Sequence, residues 1–278
     1  RGTPTPTESW IAEMLDHLAG LEAARGWARP VTFTNWLTVD PLSHPEEPLD
    51  REDMVSVDPM HVTSTRAWPA GFFASYHAYP YYPDFLRWSR EYAAYRRPGG
   101  KVDPYAGYLH ALRAHHTDQA VMVTEFGVPS GLGVAHRGPL GRDQGDHSEA
   151  DAMRKNADML DVIREQRYAG GLVFSWTDEW FKFTWNTMDY DIPADRRAMW
   201  RDTYTNEEHF GLMAQDASAM PATRLDGEPD AWASSGGRRI QQATSGPVTA
   251  VDALTDEEHV TLRIQTARPQ AWRTGTLT

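Results

Sequence analysis

The sequence predicts an α/β protein in which a parallel sheet is covered by helices on its outside. Three observations support this fold class. Helix-like and strand-like segments alternate along the chain, the strand-like runs are short and largely apolar, and polar or aromatic residues follow the end of each run. Parallel strands buried on both faces have such continuous apolar runs, and the functional residues of α/β folds gather at the carboxyl ends of the strands.

The first predicted element is an amphipathic helix. Thr5, Pro6 and Glu8 form the pattern of a helix start, with a capping threonine, a proline in the first turn and a glutamate that returns a hydrogen bond to the cap. Apolar residues then recur at helical spacing until Gly26: Ile11, Met14, Leu15, Leu18 and Leu21. We therefore expect a helix from Pro6 to Arg25.

Four strands and three further helices follow this helix. The predicted strands occupy residues 30–36, 71–76, 120–126 and 170–180. The predicted helices occupy residues 84–95, 105–115 and 149–167. The last of these helices has apolar residues on one face and charges on the other, which is typical of a helix that covers a sheet.

The ends of the strands carry the candidate site residues: Asn35, Trp36, His77, Tyr79, Tyr81, Glu125, Trp176, Asp178 and Glu179. The loops that follow two of the strands, residues 37–48 and 127–148, are long and rich in Pro, Gly, His and Asp. A connection with a purely structural role in an α/β unit usually takes about 2–6 residues. Long loops on one side of the sheet therefore predict a binding rim.

Composition narrows the classes of function. The 39 acidic and 27 basic side chains give a net charge of −12, which repels a phosphate backbone and argues against a nucleic-acid partner. The absence of cysteine excludes disulfides, thiolate metal sites and cysteine nucleophiles, and leaves the redox compartment open. No run approaches the roughly 20 apolar residues of a membrane span, so we expect a soluble chain. Eleven Trp and eleven Tyr residues favour a wet, aromatic cleft.

The last part of the chain predicts a separate, smaller piece. Residues 226–247 lose the periodicity and fill with Gly, Ser and Pro, which indicates a linker. We therefore place a domain in residues 1–225, and a linker with a β-strand tail in 226–278. Residues 259–267 alternate with period two, which predicts one strand of a small β appendage.

Taken singly, the site residues have ordinary alternatives. Glu125 is equally typical of a helix cap or a surface acid, His77 of a satisfied core histidine and Trp176 of core packing. A metal-dependent hydrolase would draw on the histidines His44, His61, His77, His115, His116 and His136. Their spacing argues against a metal site, because no His-x-His closes a strand and no pair at i, i+4 lies on a predicted helix.

The joint pattern is more informative. His77-x-Tyr79, Glu125 and Trp176 end three successive strands in this order, and residues 207–214 read EEHFGLMA. This series resembles the second half of the β/α-barrel retaining glycoside hydrolases, the clan that contains cellulases, mannanases and β-galactosidases. The resemblance covers about residues 31–215. It implies a (β/α) TIM-type barrel or part of one, with strands like the fifth to eighth, followed by the small β-rich appendage.

The resemblance also implies roles. Glu125 corresponds to the nucleophile, His77 and Tyr79 to the pair that ends the sixth strand, and Trp176 to the platform under the sugar. A carboxylate under the anomeric carbon attacks it and stabilises its positive charge, and a phenol hydrogen bond from Tyr79 favours the ionised acid. Asn35, Trp36, Tyr81, Asp178 and Glu179 would complete the binding of an oligosaccharide or glycoside. No cofactor is implied, and an extracellular or cell-envelope location is favoured over a cytoplasmic one.

The chain departs from the family in its general acid. The family's acid is a Glu preceded by Asn at the end of the fourth strand, whereas the strand here ends in Asn35-Trp36, and Asn206-Glu207 follows the last strand. Either residues 30–36 are the fifth strand and the acid lies upstream of Arg1, or they are the fourth and the acid is lost. Four strands in place of a barrel's eight favour the first explanation.

A half barrel needs partners or a different function. Its open sheet edges would be covered by a second copy, by a companion fragment or by remodelled packing. The alternative to a hydrolase is a non-catalytic sugar-binding remnant. A second carboxyl about 5–5.5 Å from Glu125 distinguishes the two, and the candidates from the sequence are Glu47, Glu52, Asp178 and Glu179.

Overall fold

A computed structural model of the protein describes residues 2–131, 133–179, 181–184, 188–190, 205–213, 237–255 and 260–268. The chain divides into two compact units. The first contains Arg1–Asp195 and Arg201–Ala214, and the second contains Arg196–Trp200 and Gln215–Thr278. The domain boundary predicted near residue 226 lies outside the described residues.

The first unit is a mixed α/β structure built on a four-stranded parallel sheet. Its strands are β1 (Thr34–Trp36), β2 (Ala74–His77), β3 (Val121–Phe126) and β4 (Gly171–Val173), in the order β1-β2-β3-β4. The predicted parallel sheet is confirmed, and each strand has neighbours in chain order. The strands are shorter than the apolar runs. Before β1, for example, a single bridge between Val31 and Phe72 replaces a continuous ladder.

Within the described ranges, five α-helices accompany the sheet: α1 (Pro6–Ala24), α2 (Phe85–Trp88), α3 (Arg90–Ala94), α4 (Pro104–His115) and α5 (Glu149–Glu165). Short 3₁₀ segments occupy Leu37–Val39, Asp50–Asp53, Pro59–His61, Pro139–Gly141, Met188–Tyr190 and Glu208–Phe210. The helix predicted over residues 84–95 is two helices, because Ser89 has extended backbone and its hydroxyl accepts a hydrogen bond from Tyr92 N to start the second. No helix within the described ranges is both long and apolar enough to cross a membrane.

The start of α1 confirms the predicted capping box. Thr5 Oγ1 accepts from Glu8 N at 3.2 Å, and Glu8 Oε2 accepts from Thr5 N at 2.6 Å. The buried Glu8 carboxylate also accepts from Asp58 N at 2.7 Å and lies 2.7 Å from His61 Nδ1. Burial alone would raise the pKa of Glu8, but these hydrogen bonds outweigh it and lower the pKa. The cap therefore also attaches α1 to the segment that follows β1.

The apolar stripe of α1 is only partly buried. Leu15 is buried and packs in a small cluster with Ala19, Val31, Val62 and Trp68. Three other residues of the predicted stripe, Met14, Leu18 and Leu21, are exposed. Helical spacing correctly predicts the element, but the described residues cover only two of the five apolar residues, Ile11 and Leu15.

The main core lies between the sheet and helices α2–α5 and is unusually aromatic. It contains Tyr76, Phe85, Tyr105, Tyr108, Leu109, Leu112, Val123, Met159 and Ile163. The buried phenols have acceptors: Tyr105 Oη donates to Ala78 O at 2.9 Å, and Tyr108 Oη donates to Asp40 Oδ2 at 2.8 Å. Bonded hydroxyls allow these large rings to be buried without an unsatisfied polar group.

A buried cluster of charges, here called the Arg142 cluster, joins α4, α5 and the loop after β3. Its members are Arg97, Asp103, Arg142, Asp158 and Glu165. Arg142 donates to both oxygens of Asp103, at 2.9 and 2.8 Å, and to Asp158 at 2.8 Å. Arg97 donates to both oxygens of Glu165, at 2.8 and 3.0 Å, and to Asp158 at 2.6 Å. Each member is therefore held by at least one opposite charge.

The second unit contains a three-stranded antiparallel sheet. Its strands are β5 (Arg238–Gln242), β6 (Val248–Thr255) and β7 (Val260–Thr266), in that order. The predicted β appendage and its strand over 259–267 are confirmed. The linker predicted over 226–247 is wrong in part, since residues 238–242 form β5. The carboxylate of Asp252 on β6 pairs with an arginine on each neighbouring strand, Arg239 on β5 and Arg263 on β7. These ion pairs join β5 to the other two strands.

Candidate functional site

The register of the parallel strands brings three predicted site residues to one edge of the sheet. Trp36 lies beside His77, and His77 lies beside Glu125. This carboxyl edge opens into a cavity of about 680 Å³. The aromatic residues that line the cavity are Trp36, Tyr79, Tyr81, Tyr82, Phe174 and Phe210. Its polar lining residues are His77, Glu125, His136, Gln144, Lys182, Thr184, Asn206 and Glu207.

Glu125 is held by a phenol. Tyr79 Oη donates to Glu125 Oε2 at 2.7 Å. His77 Nδ1 lies 3.2 Å from the same oxygen without the alignment of a hydrogen bond. Glu125 Oε1 accepts no hydrogen bond from the part of the chain that the structure describes, so this oxygen is open to a ligand.

The neighbours of Glu125 stay uncharged. Burial lowers the pKa of His77, and the carboxylate of Glu125 opposes this shift only in part. Burial, together with the nearby Tyr81 and Glu125, raises the pKa of Tyr79 far above its usual value. Tyr79 therefore remains a protonated donor to Glu125.

Aromatic rings form one wall beside Glu125. The ring of Trp36 stacks on Tyr79 with 6.0 Å between the centroids, and it meets His77 edge-on at 5.3 Å. Tyr79 also contacts Phe210 edge-on at 5.9 Å, and Phe210 contacts Phe174 at 5.2 Å. This continuous wall packs around Tyr79 and fixes the direction in which its hydroxyl points.

The predicted sugar platform lies elsewhere. Trp176 is 70% exposed and is not among the residues that line the cavity, whereas Phe174 lines it. The strand ends at Val173, and the backbone at Trp176 and Asp178 pairs instead with Met213. The strand therefore ends three residues before Trp176, and Phe174 lines the cavity where we expected a tryptophan.

Three other predicted binding residues hold loops together. The buried Asn35 donates from Nδ2 to Val57 O at 2.8 Å. Asp178 accepts from Gly211 N at 2.8 Å, and Glu179 Oε2 lies 2.7 Å from Lys182 Nζ. None of the three lines the cavity as described. Of the predicted site, the structure brings together Trp36, His77, Tyr79, Tyr81 and Glu125.

Sequence reasoning missed a polar group in the same cavity. Glu207 accepts from Gln144 Nε2 at 3.0 Å and from Lys182 Nζ at 3.4 Å. Asn206 is buried and donates weakly to the carbonyl oxygen of Gln144 at 3.4 Å. The Asn206-Glu207 pair was visible in the sequence, but its position after the last strand placed it too late for a strand end. The chain returns to the cavity there, which no local pattern indicates.

The loop that supplies Gln144 is well fastened. Backbone hydrogen bonds join Ala135 N to Gln144 O at 3.0 Å and Gln144 N to His136 O at 2.8 Å. His136 lies against Tyr82, with 4.9 Å between the ring centroids. Burial lowers the pKa of His136, so the ring is neutral near pH 7. Arg142, two residues before Gln144, attaches the loop to α4 and α5 through the Arg142 cluster.

The other histidines that were candidates for a metal site have structural partners. His44 Nε2 lies 3.1 Å from Asp40, His115 Nε2 lies 3.0 Å from Asp58, and His116 Nε2 bonds Tyr76 Oη at 2.8 Å. No group of three or more His, Asp or Glu side chains in the described ranges is placed to hold a metal ion.

Comparison with protein-family models, with curated proteins and with solved structures found no match for this chain. The geometry of the cavity is therefore the guide to function. The site offers an acid held by a phenol donor, with one oxygen open, in a cavity with aromatic walls and a separate polar group. Such an arrangement suits a nucleophilic or binding carboxylate that acts on a ligand with both C–H faces and hydroxyl groups.

Proposed function

We propose that this chain is the sugar-cleaving part of a retaining β-glycosidase of the β/α-barrel type, with Glu125 as the nucleophile. The observation that carries the proposal is the 2.7 Å hydrogen bond from Tyr79 Oη to Glu125 Oε2, between two residues that line an aromatic cavity. The parallel sheet supports the barrel, since its strands follow one another in chain order. The site lies at the carboxyl edge, where such folds place their chemistry.

In the proposed reaction, Glu125 attacks the anomeric carbon while the bond to the leaving oxygen breaks. With an activated aryl glycoside the leaving oxygen departs as a phenolate, and water then attacks the glycosyl ester, gives its proton to the solvent and releases Glu125 with the sugar's configuration retained. The hydroxyl of Tyr79 orients Glu125 through its hydrogen bond to Oε2. The apolar faces of Trp36 and Phe174 suit the C–H faces of a pyranose.

A second candidate function is carbohydrate binding without catalysis. One observation favours it: Glu207 is the one carboxyl that shares the cavity with Glu125 in the described ranges, and Lys182 and Gln144 both bind it. Each oxygen of Glu207 accepts from one of these donors, whereas a general acid must donate a proton to the leaving oxygen. A protein of this kind would bind glycosides and leave them intact.

The test is the Glu125→Gln substitution, assayed on a panel of aryl β-glycosides. We expect the wild-type protein to turn over at least one of them and Glu125→Gln to lose about a thousandfold or more in kcat. Glu149→Gln, an equal change at an exposed position in the first turn of α5, is the control and should match the wild type. Undiminished turnover in Glu125→Gln would remove the nucleophile. Sugar binding with no turnover by the wild type would favour the second candidate.

A further inference from the structure

Among the described residues that line the cavity, Asn206 has a side-chain oxygen without a hydrogen-bond partner. Asn206 is 2% exposed, lines the cavity, and its Oδ1 makes no hydrogen bond in the part of the chain that the structure describes. Buried side-chain oxygens are almost always bonded, since an unmade bond costs free energy. Because Asn206 lines the cavity, a ligand bound there is the expected source of the missing donor.

The next residue offers more acceptors at the same place. Glu207 uses one oxygen for Gln144 Nε2 and the other for Lys182 Nζ. A carboxylate has about four lone-pair positions, so two bonds leave room for further donors. Asn206 and Glu207 thus present acceptors side by side, and these match adjacent hydroxyl groups on one ligand.

The charges of the cavity select the kind of ligand. Glu125 and Glu207 line it together with one ammonium group, that of Lys182. Lys182 is already within ion-pair distance of two carboxylates, Glu179 at 2.7 Å and Glu207 at 3.4 Å. The ring of His77 is kept neutral by burial. In the described lining, the acids therefore outweigh the bases, which disfavours a negatively charged sugar.

We propose that Asn206 and Glu207, oriented by Lys182 and Gln144, form a subsite that determines specificity. It binds adjacent hydroxyl groups of a neutral sugar and rejects uronic acids. This inference rests on the proposed function for the class of ligand, but it assigns a separate part of the cavity. It requires binding through Asn206 and Glu207, whether or not Glu125 cleaves the ligand.

The experiment measures binding in the Glu125→Gln background, where the proposed chemistry is blocked. Methyl β-glycosides of glucose, galactose, mannose, xylose and glucuronic acid are titrated by calorimetry. We expect at least one neutral glycoside to bind, and more tightly than the glucuronide. Asn206→Ala should weaken that affinity about threefold to tenfold, and Glu207→Gln about tenfold or more, as for neutral and charged hydrogen bonds.

Two further variants keep the result interpretable. Asn206→Asp has the same shape and keeps the acceptor, so it should bind the neutral glycoside better than Asn206→Ala does. Asp161→Asn removes a carboxylate at an exposed position of α5 and should leave the affinity unchanged. A melting curve of each variant, compared with that of Asp161→Asn, separates lost binding from lost folding.

The outcomes separate the two proposals. Equal affinities in Asn206→Ala, Glu207→Gln and the parent, equal binding of the glucuronide, or no binding of any sugar would overturn the subsite. The proposed hydrolysis fails independently if the wild type binds these sugars through Asn206 and Glu207 but cleaves none of the aryl glycosides. Turnover that depends on Glu125 but not on Asn206 or Glu207 would leave the glycosidase standing without this subsite.

Discussion

The Arg142 cluster and the Glu125 cavity share one loop but differ in how far their polar groups are satisfied by hydrogen bonds within the protein. In the Arg142 cluster, each charge is matched: Arg142 alone makes three hydrogen bonds to Asp103 and Asp158. In the cavity, Glu125 has one phenol donor, and Asn206 Oδ1 has none in the described chain. The loop that Arg142 anchors continues into Gln144 at the cavity wall. The charges of the Arg142 cluster are satisfied within the protein, whereas the unsatisfied groups of the cavity are those that the proposed ligand would bind.

The largest effect, on the unfolding free energy, is expected from a substitution in the Arg142 cluster. Arg142→Met leaves the fully buried Asp103 without its two-pronged partner, because Arg97 Nη1 is the next cation at 3.5 Å. Removing one member of a buried ion pair typically costs about 3–5 kcal/mol of unfolding free energy. Urea unfolding monitored by tryptophan fluorescence measures this loss. A loss below about 1 kcal/mol would show that the cluster does not hold the scaffold.

The next largest effect is expected in the Glu125 cavity, on catalytic activity. Tyr79→Phe removes the hydroxyl that donates to Glu125, and a hydrogen bond to a charged group contributes about 1.5–3 kcal/mol. Under the proposed function we therefore expect kcat/KM on an aryl glycoside to fall by about 10- to 100-fold.

The matched control for this change is Tyr105→Phe. Its hydroxyl donates to the Ala78 carbonyl in the core and does not line the cavity. Tyr105→Phe should lower the unfolding free energy by about 1 kcal/mol and leave kcat/KM almost unchanged. If both variants lost the same fraction of activity, the hydroxyl of Tyr79 would have no role of its own.

Acid should weaken the Arg142 cluster. Burial alone would raise the pKa of Asp158, but hydrogen bonds from Arg97 and Arg142 outweigh it and lower the pKa from 3.8. A hydrogen bond from Arg97 likewise lowers the pKa of Glu165 from 4.5. Folded-state pKa values below the unfolded ones give stability that is present above those unfolded values and is lost as the pH falls through and below them.

We therefore expect the unfolding free energy of the wild type to decrease between pH 5 and pH 3, by more than that of Arg97→Gln. Arg97 is the partner that both acids share, so its removal brings their pKa values back towards the ordinary range. Urea midpoints at pH 6, 5, 4 and 3 measure the slope. Parallel pH profiles for the two proteins would contradict this account of the cluster.

The smallest effect is expected at the surface of the same loop. Arg137 pairs with Asp143 at 2.6 Å, but its side chain is 61% exposed. Exposed ion pairs contribute about 0–1 kcal/mol, so Arg137→Met should hardly change the urea midpoint. Arg137 and Arg142 are five residues apart, and the same substitution at both isolates burial as the cause. A cost at Arg137 close to that at Arg142 would refute this contrast.

Local patterns in the sequence predicted local structure well. The capping box of Thr5 and Glu8 is confirmed because both hydrogen bonds lie within four residues. The ends of β2 and β3 follow from apolar runs closed by His77 and Glu125. Parallel register then brings these two residues together, and the sequence indicated this through strand order alone.

Features that depend on how the chain returns to the sheet could not be predicted. The bonds of the backbone at Trp176 and Asp178 to Met213 decide that Phe174 and not Trp176 lines the cavity. Likewise, Gly131 lies so close to Asn206 that an added Cβ would meet its Cα at 2.7 Å. Both contacts join residues far apart in the chain, and neither leaves a periodic signal. Composition and spacing report what one segment prefers, but not which distant segment packs on it.

The position of Glu8 sets a practical limit for protein engineering. Its carboxylate holds the backbone of Asp58 and the ring of His61, and the side chain of Asp58 in turn reaches His115 at the end of α4. Helices far apart in the chain are thus fastened through one glutamate in the first helical turn. Affinity tags and fusion partners are best joined ahead of Thr5, since trimming through Glu8 would remove the cap of α1 and its bonds to Asp58 and His61.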